Sequence, residues 1–185
     1  MLGIALGVAA LIIVLSVMNG FQKEVRDRML GVISHIEVFA PNGAALPDPQ
    51  KTLAEIRANS EVVGAATFIA SQALLARGED MKGTMVRGID PALEGQVTDL
   101  AVTSASTLAR LVPGQFGVVL GVELALAMGV VDGDKVPLIA PSGQVTPAGV
   151  VPRLKQLTVV GTFDSDPLEY DAALVMLPQA RTRKI

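Results

Sequence analysis

GVVLGVELALAMGVVDGDKVPLIA, residues Gly117–Ala140, holds a strand, a helix, a turn and a second strand in one short stretch. GVVLG is an unbroken apolar run of strand length, as a buried strand requires. VELALAM gives two turns of helix, and Gly129 stands where a left-handed residue ends such a helix. Val130–Asp134 then turns the chain into KVPLIA (Lys135–Ala140). Within this stretch GVVDGDK (Gly129–Lys135) comes near a phosphate loop, but its spacing does not fit GxxxxGK[ST]. Its two glycines read instead as a helix stop and a hairpin turn.

Working outward, PSGQVTPAGVVPR (Pro141–Arg153) separates KVPLIA from the next strand-like run, LKQLTVVGTF (Leu154–Phe163). A hairpin needs only two to five loop residues. This one is longer, with three prolines, two glycines and no charge before Arg153. Prolines fix φ and remove donors, so a stiff loop is expected rather than a solvated tether. A strand over Leu157–Thr162, an acidic turn over Asp164–Asp171 and a strand over Ala172–Leu177 follow. Upstream, TFIASQALLAR (Thr67–Arg77) and MKGTMVRGI (Met81–Ile89) flank GED as a hairpin, and Asp90–Glu94 restarts as a helical turn. Asp48-Pro49 has the order of cap and first helical proline, before a helix with Leu53 and Ile56 inward. HIEVF (His35–Phe39) has period two and is expected as a strand, ended by the turn Pro41-Asn42-Gly43. Short helices mixed with strands predict an α+β domain.

The N-terminus differs in kind. Leu2–Met18 carries no charge, and Ser16 is its only polar side chain. At about 1.5 Å per residue it covers most of a ~30 Å hydrocarbon core. No basic segment precedes it, and Val17-Met18-Asn19 is no small-x-small cleavage site, so a transmembrane helix is expected. Phe21, Val25, Met29 and Val32 continue at helical spacing and predict an amphipathic stalk to about Ile33. The expected division is residues 1–33 for helix and stalk and 34–185 for the domain. Lys23, Arg26 and Arg28 follow the apolar run, which by itself places that end in the cytoplasm. A chain starting inside the helix would lack the residues that decide orientation.

Several function classes fall away. A net charge of −3 with no basic cluster does not suit nucleic acid. Five Phe, one Tyr and no Trp leave few stacking platforms, and no cysteine is present for a disulfide or thiolate metal site. The single histidine, His35, is read as structural, and no multi-histidine metal site can form. Glu169 and Asp171 flank Tyr170 in the acidic turn and are read as solvated rather than catalytic. No catalytic residue, metal or cofactor is expected, and the chain is not read as an enzyme.

The residues also resemble a known family. ALGVAALIIVLSVMNGFQKEV (Ala5–Val25) resembles the first transmembrane helix of the LolC/LolE permeases of the bacterial lipoprotein-releasing system, LSVMNGF (Leu15–Phe21) most specifically. VRGIDP (Val86–Pro91), VVLGVELALAMGVVDGDKV (Val118–Val136), VVGTF (Val159–Phe163) and EYDAALVMLPQA (Glu169–Ala180) resemble successive landmarks of their MacB-like periplasmic core domain. The resemblance implies a mixed α/β core after the membrane helix. It also implies a protruding hairpin, the hook, over 141–155, which clasps the periplasmic carrier LolA in the LolC branch and the fused LolF type.

The hook's TP-x-G-x-x-P pattern stands here as Thr146-Pro147-Ala148-Gly149-Val150-Val151-Pro152, with Gln144, Val145, Arg153 and Lys155 completing the implied contact. The chain departs from the family at Leu154-Lys155, where a Gln-Arg pair is usual; Lys155 keeps a charge but lacks arginine's bidentate fork. Met18 matches a position lining the cavity for lipoprotein acyl chains. The implied partners are a LolD-like ATPase subunit, a LolE-like subunit or second copy, LolA and the lipoprotein. The implied setting is the bacterial inner membrane, multi-pass in the full protein, with the domain in the periplasm. Beginning inside the first helix and stopping at RTRKI, the chain reads as a fragment. A MacB-type efflux permease, which should lack the hook, and a single-span sensor or binding domain are the alternatives.

Overall fold

The computed structural model describes residues 2–32, 34–98, 104–112, 114–146, 149–165 and 171–182. For residues 2, 25–32, 42, 141–146, 149–152 and 181 it describes the backbone alone. Helix α1 (Leu2–Val32) is continuous over 31 residues, which makes it about 46 Å long. Within it Gly3–Glu24 has a mean hydropathy of 2.4, and the rest of the chain buries none of it. The helix runs past its apolar window, to Val32.

Residues 34–40 are extended but join no ladder among the described residues, which corrects the expected strand at His35–Phe39. Glu37 and Phe39 dock on the barrel through their side chains, while Ile36 is 82 % exposed. A single 3-10 turn at Pro41–Gly43 leads to α2 (Pro49–Arg57), where the Asp48 carboxylate accepts from the Lys51 amide at 3.1 Å. That bond satisfies one of the free donors of the first turn.

Six strands follow: β1 (Ile69–Arg77), β2 (Asp80–Ile89), β3 (Gly117–Gly121), β4 (Lys135–Thr146), β5 (Gly149–Phe163) and β6 (Leu174–Pro178). They close into a barrel in the order β1-β2-β6-β3-β5-β4. β2 runs parallel to β6 and β3 parallel to β5; the other neighbours are antiparallel. Closure between β4 and β1 rests on two residue pairs, Leu74↔Ile139 and Leu75↔Leu138. Among the described residues, short helices α3 (Pro91–Glu94), α4 (Ala105–Leu108) and α5 (Val122–Met128) lie between strands, and α6 (Gln179–Thr182) follows β6.

Alternation along the strands builds two cores. Leu75, Val86, Val118, Val136, Leu157 and Val175 bring one side chain each from the six strands into the barrel interior, joined by Leu124 and Met128 of α5. On the outer face Val119, Phe163, Leu174 and Met176 pack with Leu108 and Leu111 beside α4. β3 and β6 are therefore buried on both faces, which is why their sequences are unbroken apolar runs. α5 ends at Gly129, whose φ of 62° is the left-handed conformation that glycine adopts freely. Arg77 donates to the Met128 carbonyl at 2.8 Å, placing a cation at the negative end of that helix.

Candidate functional site

The expected loop at Pro141–Arg153 is mostly ladder. β4 and β5 pair regularly from Lys135↔Thr158 to Ala140↔Arg153, then again from Gln144↔Val151 to Thr146↔Gly149. Between these stretches Pro141, Ser142 and Gly143 stand opposite Pro152 alone. Two extra residues on one strand make a bulge, which bends the ladder and increases its twist. The sequence suits that place, since proline cannot donate to a ladder and is tolerated at bulges.

Beyond the bulge, among the described residues, 144–146 and 149–151 pair only with each other. They form a two-stranded arm past the barrel. Pro147 and Ala148, at its tip, lie outside the described residues. The structure thus brings Gln144, Val145 and Thr146 together with Gly149, Val150 and Val151. The prolines read as loop-makers in the sequence mark the arm's joint at Pro141 and Pro152.

At the arm's root β5 has two different faces. Lys155 lies opposite Leu138 and Arg153 opposite Ala140, in the row that Leu157 and Val136 continue into the barrel interior. Arg153 and Lys155 are two apart on one strand, so their Cβ atoms share a face roughly 7 Å apart. Arg153 is exposed and Lys155 half-buried. The opposite face carries Leu154, 62 % exposed, beside Ile139, which in turn pairs with Leu74. This apolar row crosses the closing seam of the barrel. Sequence reading missed it, because Leu74 lies far from Leu154 in the chain and no local signal joins them. The root therefore offers two cations on one side and an aliphatic strip on the other.

A second cluster lies where the stalk meets the barrel. Arg87 on β2 is 15 % exposed and pairs with Glu94 at 3.3 Å and with Glu37 at 3.5 Å. Its guanidinium carbon lies 4.5 Å from the centre of the Phe68 ring, in range of a cation–π attraction. Phe68 meets Phe39 edge to face at 5.8 Å. Burial pushes the Glu94 carboxyl above its ordinary range, and Asp90 and Glu37 push the same way, against the pull of Arg87. A carboxyl raised in the folded state stabilises the fold fully below its unfolded value, and that contribution is lost as pH rises through the folded value. Thermal unfolding is thus expected to show a loss of stability from mildly acid to neutral pH that Glu94→Gln reduces. Equal pH slopes in the two proteins would contradict this.

Asp171 corrects the reading of a solvated acidic turn. It is 1 % exposed, and its carboxylate accepts from the Ser165 amide at 2.9 and 2.8 Å and from the Ser165 hydroxyl. It ties the end of β5 to the start of β6. Glu169 and Tyr170 lie outside the described residues. His35 is exposed beside the stalk junction. Met18 lies on α1, 57 % exposed, and takes no part in the arm.

Comparison with known proteins bears on this arrangement. The family of the MacB-like periplasmic core domain matches residues 1–185. The chain is 45 % identical over 175 residues to the lipoprotein-releasing system transmembrane protein LolC of Neisseria meningitidis serogroup B (strain MC58), covering 94 % of this chain and 42 % of that protein. It is 42 % identical over 185 residues to LolC of Xylella fastidiosa (strain 9a5c), covering all of this chain and 44 % of that one. LolE of Haemophilus influenzae (strain Rd) is 30 % identical over 185 residues, covering 98 % and 44 %. The chain spans less than half the length of these relatives. An apolar helix of spanning length and relatives named as transmembrane proteins make this a membrane protein. With its whole length matched, the chain belongs to the MacB-like periplasmic core domain family and stands with the LolC and LolE proteins within it.

Proposed function

We propose that this chain is part of a permease subunit of the lipoprotein-releasing ABC transporter, which takes outer-membrane lipoproteins from the inner membrane and passes them to LolA at the arm. The observation that carries the reading is the ladder 144–146/149–151, which extends past the barrel and, among the described residues, has no strand on either edge. A partner's sheet can add to such an edge through main-chain hydrogen bonds. The bulge between Pro141 and Pro152 gives the arm a set direction before docking, which reduces the ordering cost of binding. Arg153 and Lys155 supply charge at the root, and Leu154 supplies apolar contact where relatives of this type usually have a polar pair.

In this reading residues 34–185 form the periplasmic core, 141–155 the hook, and α1 one of several helices in the inner membrane. ATP is hydrolysed by a LolD-like subunit rather than by this chain, and a LolE-like subunit or second copy completes the pair. Exposing an acyl chain to water costs about 0.8 kcal/mol per CH₂, so a carrier docked beside the exit removes a large penalty. A MacB-type efflux permease has no need of the arm, and the arm therefore favours lipoprotein release.

The test is retention of purified LolA by the immobilised protein; a chain that retains none is not a LolC-type permease. Met18 is assigned to the acyl-chain cavity. A photo-crosslinker placed there in the complete transporter is expected to capture lipoprotein. Labelling of permease helices alone would reassign Met18 to helix packing.

A further inference from the structure

The segment between α1 and α2 is held to the barrel in an unusual way. Among the described residues, 34–40 make no backbone hydrogen bond to the barrel. The attachment runs through Glu37 on Arg87 at 3.5 Å and Phe39 on the edge of Phe68. Ser34 donates to Glu37 at 3.4 Å, which steadies the carboxylate from its own strap.

Arg87 has two carboxylates and they are not equivalent. Glu94 is 3 % exposed and the nearer partner; Glu37 is 29 % exposed and the farther. Breaking a buried pair is costly chiefly because it leaves a charge unpaired. Arg87 keeps Glu94 when Glu37 leaves, and Glu37 passes into water. Among the described residues the Arg87 Nε has no hydrogen-bond partner, so the guanidinium is not locked into one pattern of bonds. Release of the strap is therefore far less costly than disruption of the cluster beneath it.

From this asymmetry we infer that Glu37 and Arg87 form a releasable latch, positioning the barrel and its arm relative to the membrane helix. Latched, the strap sets one orientation. Released, it leaves the barrel intact and joined to α1 by an unpaired extended segment. Arg87 is a positioning residue here, acting through its ion pair with Glu37. The inference does not depend on what the arm binds.

The test uses the full-length permease in its complex in lipid nanodiscs, with spin labels at Lys23→Cys on α1 and Lys82→Cys on β2. The expected result is one narrow distance distribution, roughly twice as wide in Glu37→Gln, with the melting temperature unchanged within error. Arg87→Lys, which keeps the charge but cannot fork between two carboxylates, is expected to widen it likewise. Three results overturn the latch: a distribution already broad in the unaltered protein, no change in Glu37→Gln, or a clear melting loss in Glu37→Gln. None of these readouts involves LolA, so failure of the latch and failure of the transport reading are separate outcomes.

Discussion

Removal of Gln144–Val151 is expected to abolish LolA binding while leaving the barrel folded. The excised residues pair only with each other among the described residues, so no barrel ladder is lost. Ala140 and Arg153 already face each other across the hairpin. The deletion leaves Pro141, Ser142, Gly143 and Pro152 between them, a loop length that hairpins use commonly. On the binding side the whole edge available for strand addition disappears. Calorimetry should register a loss above ~100-fold, equivalent to about 2.7 kcal/mol, with a melting temperature close to that of the intact protein. Unchanged affinity in a folded deletion variant would remove the hook assignment.

The largest effect on stability is expected at Gly121. Its φ of −61° and ψ of 146° are open to any residue, so backbone freedom is not what requires glycine there. A Cβ would lie 2.6 Å from the Asp171 Cα and 2.7 Å from its carbonyl carbon. These are backbone atoms, and Asp171 is itself held by Ser165, so neither side can yield cheaply. Gly121→Ala is expected to cost about 3 kcal/mol or more, at the upper end for overpacking. That corresponds to a drop of roughly 10 °C in the melting temperature of a domain this size. Gly117→Ala is the contrast: its nearest neighbour is a Val160 methyl at 3.1 Å, a side-chain atom able to shift. Thermal unfolding by circular dichroism separates them, and a Gly121→Ala protein melting with the parent would sink the argument.

Local signals in the sequence carried much of this architecture. GVVLG, VELALAM and Gly129 fall where strand, helix and stop were expected, because apolar runs and a left-handed glycine are short-range physics. The cap at Asp48 and the helical turn that starts at Asp90 were legible for the same reason. What the sequence concealed depends on distant partners. The β4–β1 seam brings Leu74 beside Ile139, and nothing in either segment announces the other. Asp171 looked solvated because acidic residues surround it, while its backbone packs on Gly121 of β3 and its carboxylate is held by Ser165 six residues back. HIEVF alternates like a strand, yet it joins no ladder among the described residues and is held through the side chains of Glu37 and Phe39. Prolines at 141, 147 and 152 signalled a loop, although two of them stand at the joint of a continuing ladder.

The two-rung seam also has a mechanical meaning. β4 carries the arm at one end and shares one of the barrel's two shortest junctions, β3–β6 being the other, so a load applied to the arm travels along β4 before reaching the rest of the sheet. Its bond with β5 is long and resists shear over many rungs, whereas its bond with β1 resists over two. A pull on the arm would thus strain the wall at Leu74 and Leu75 before it reached the equally short β3–β6 line, making the former the hem nearest the load.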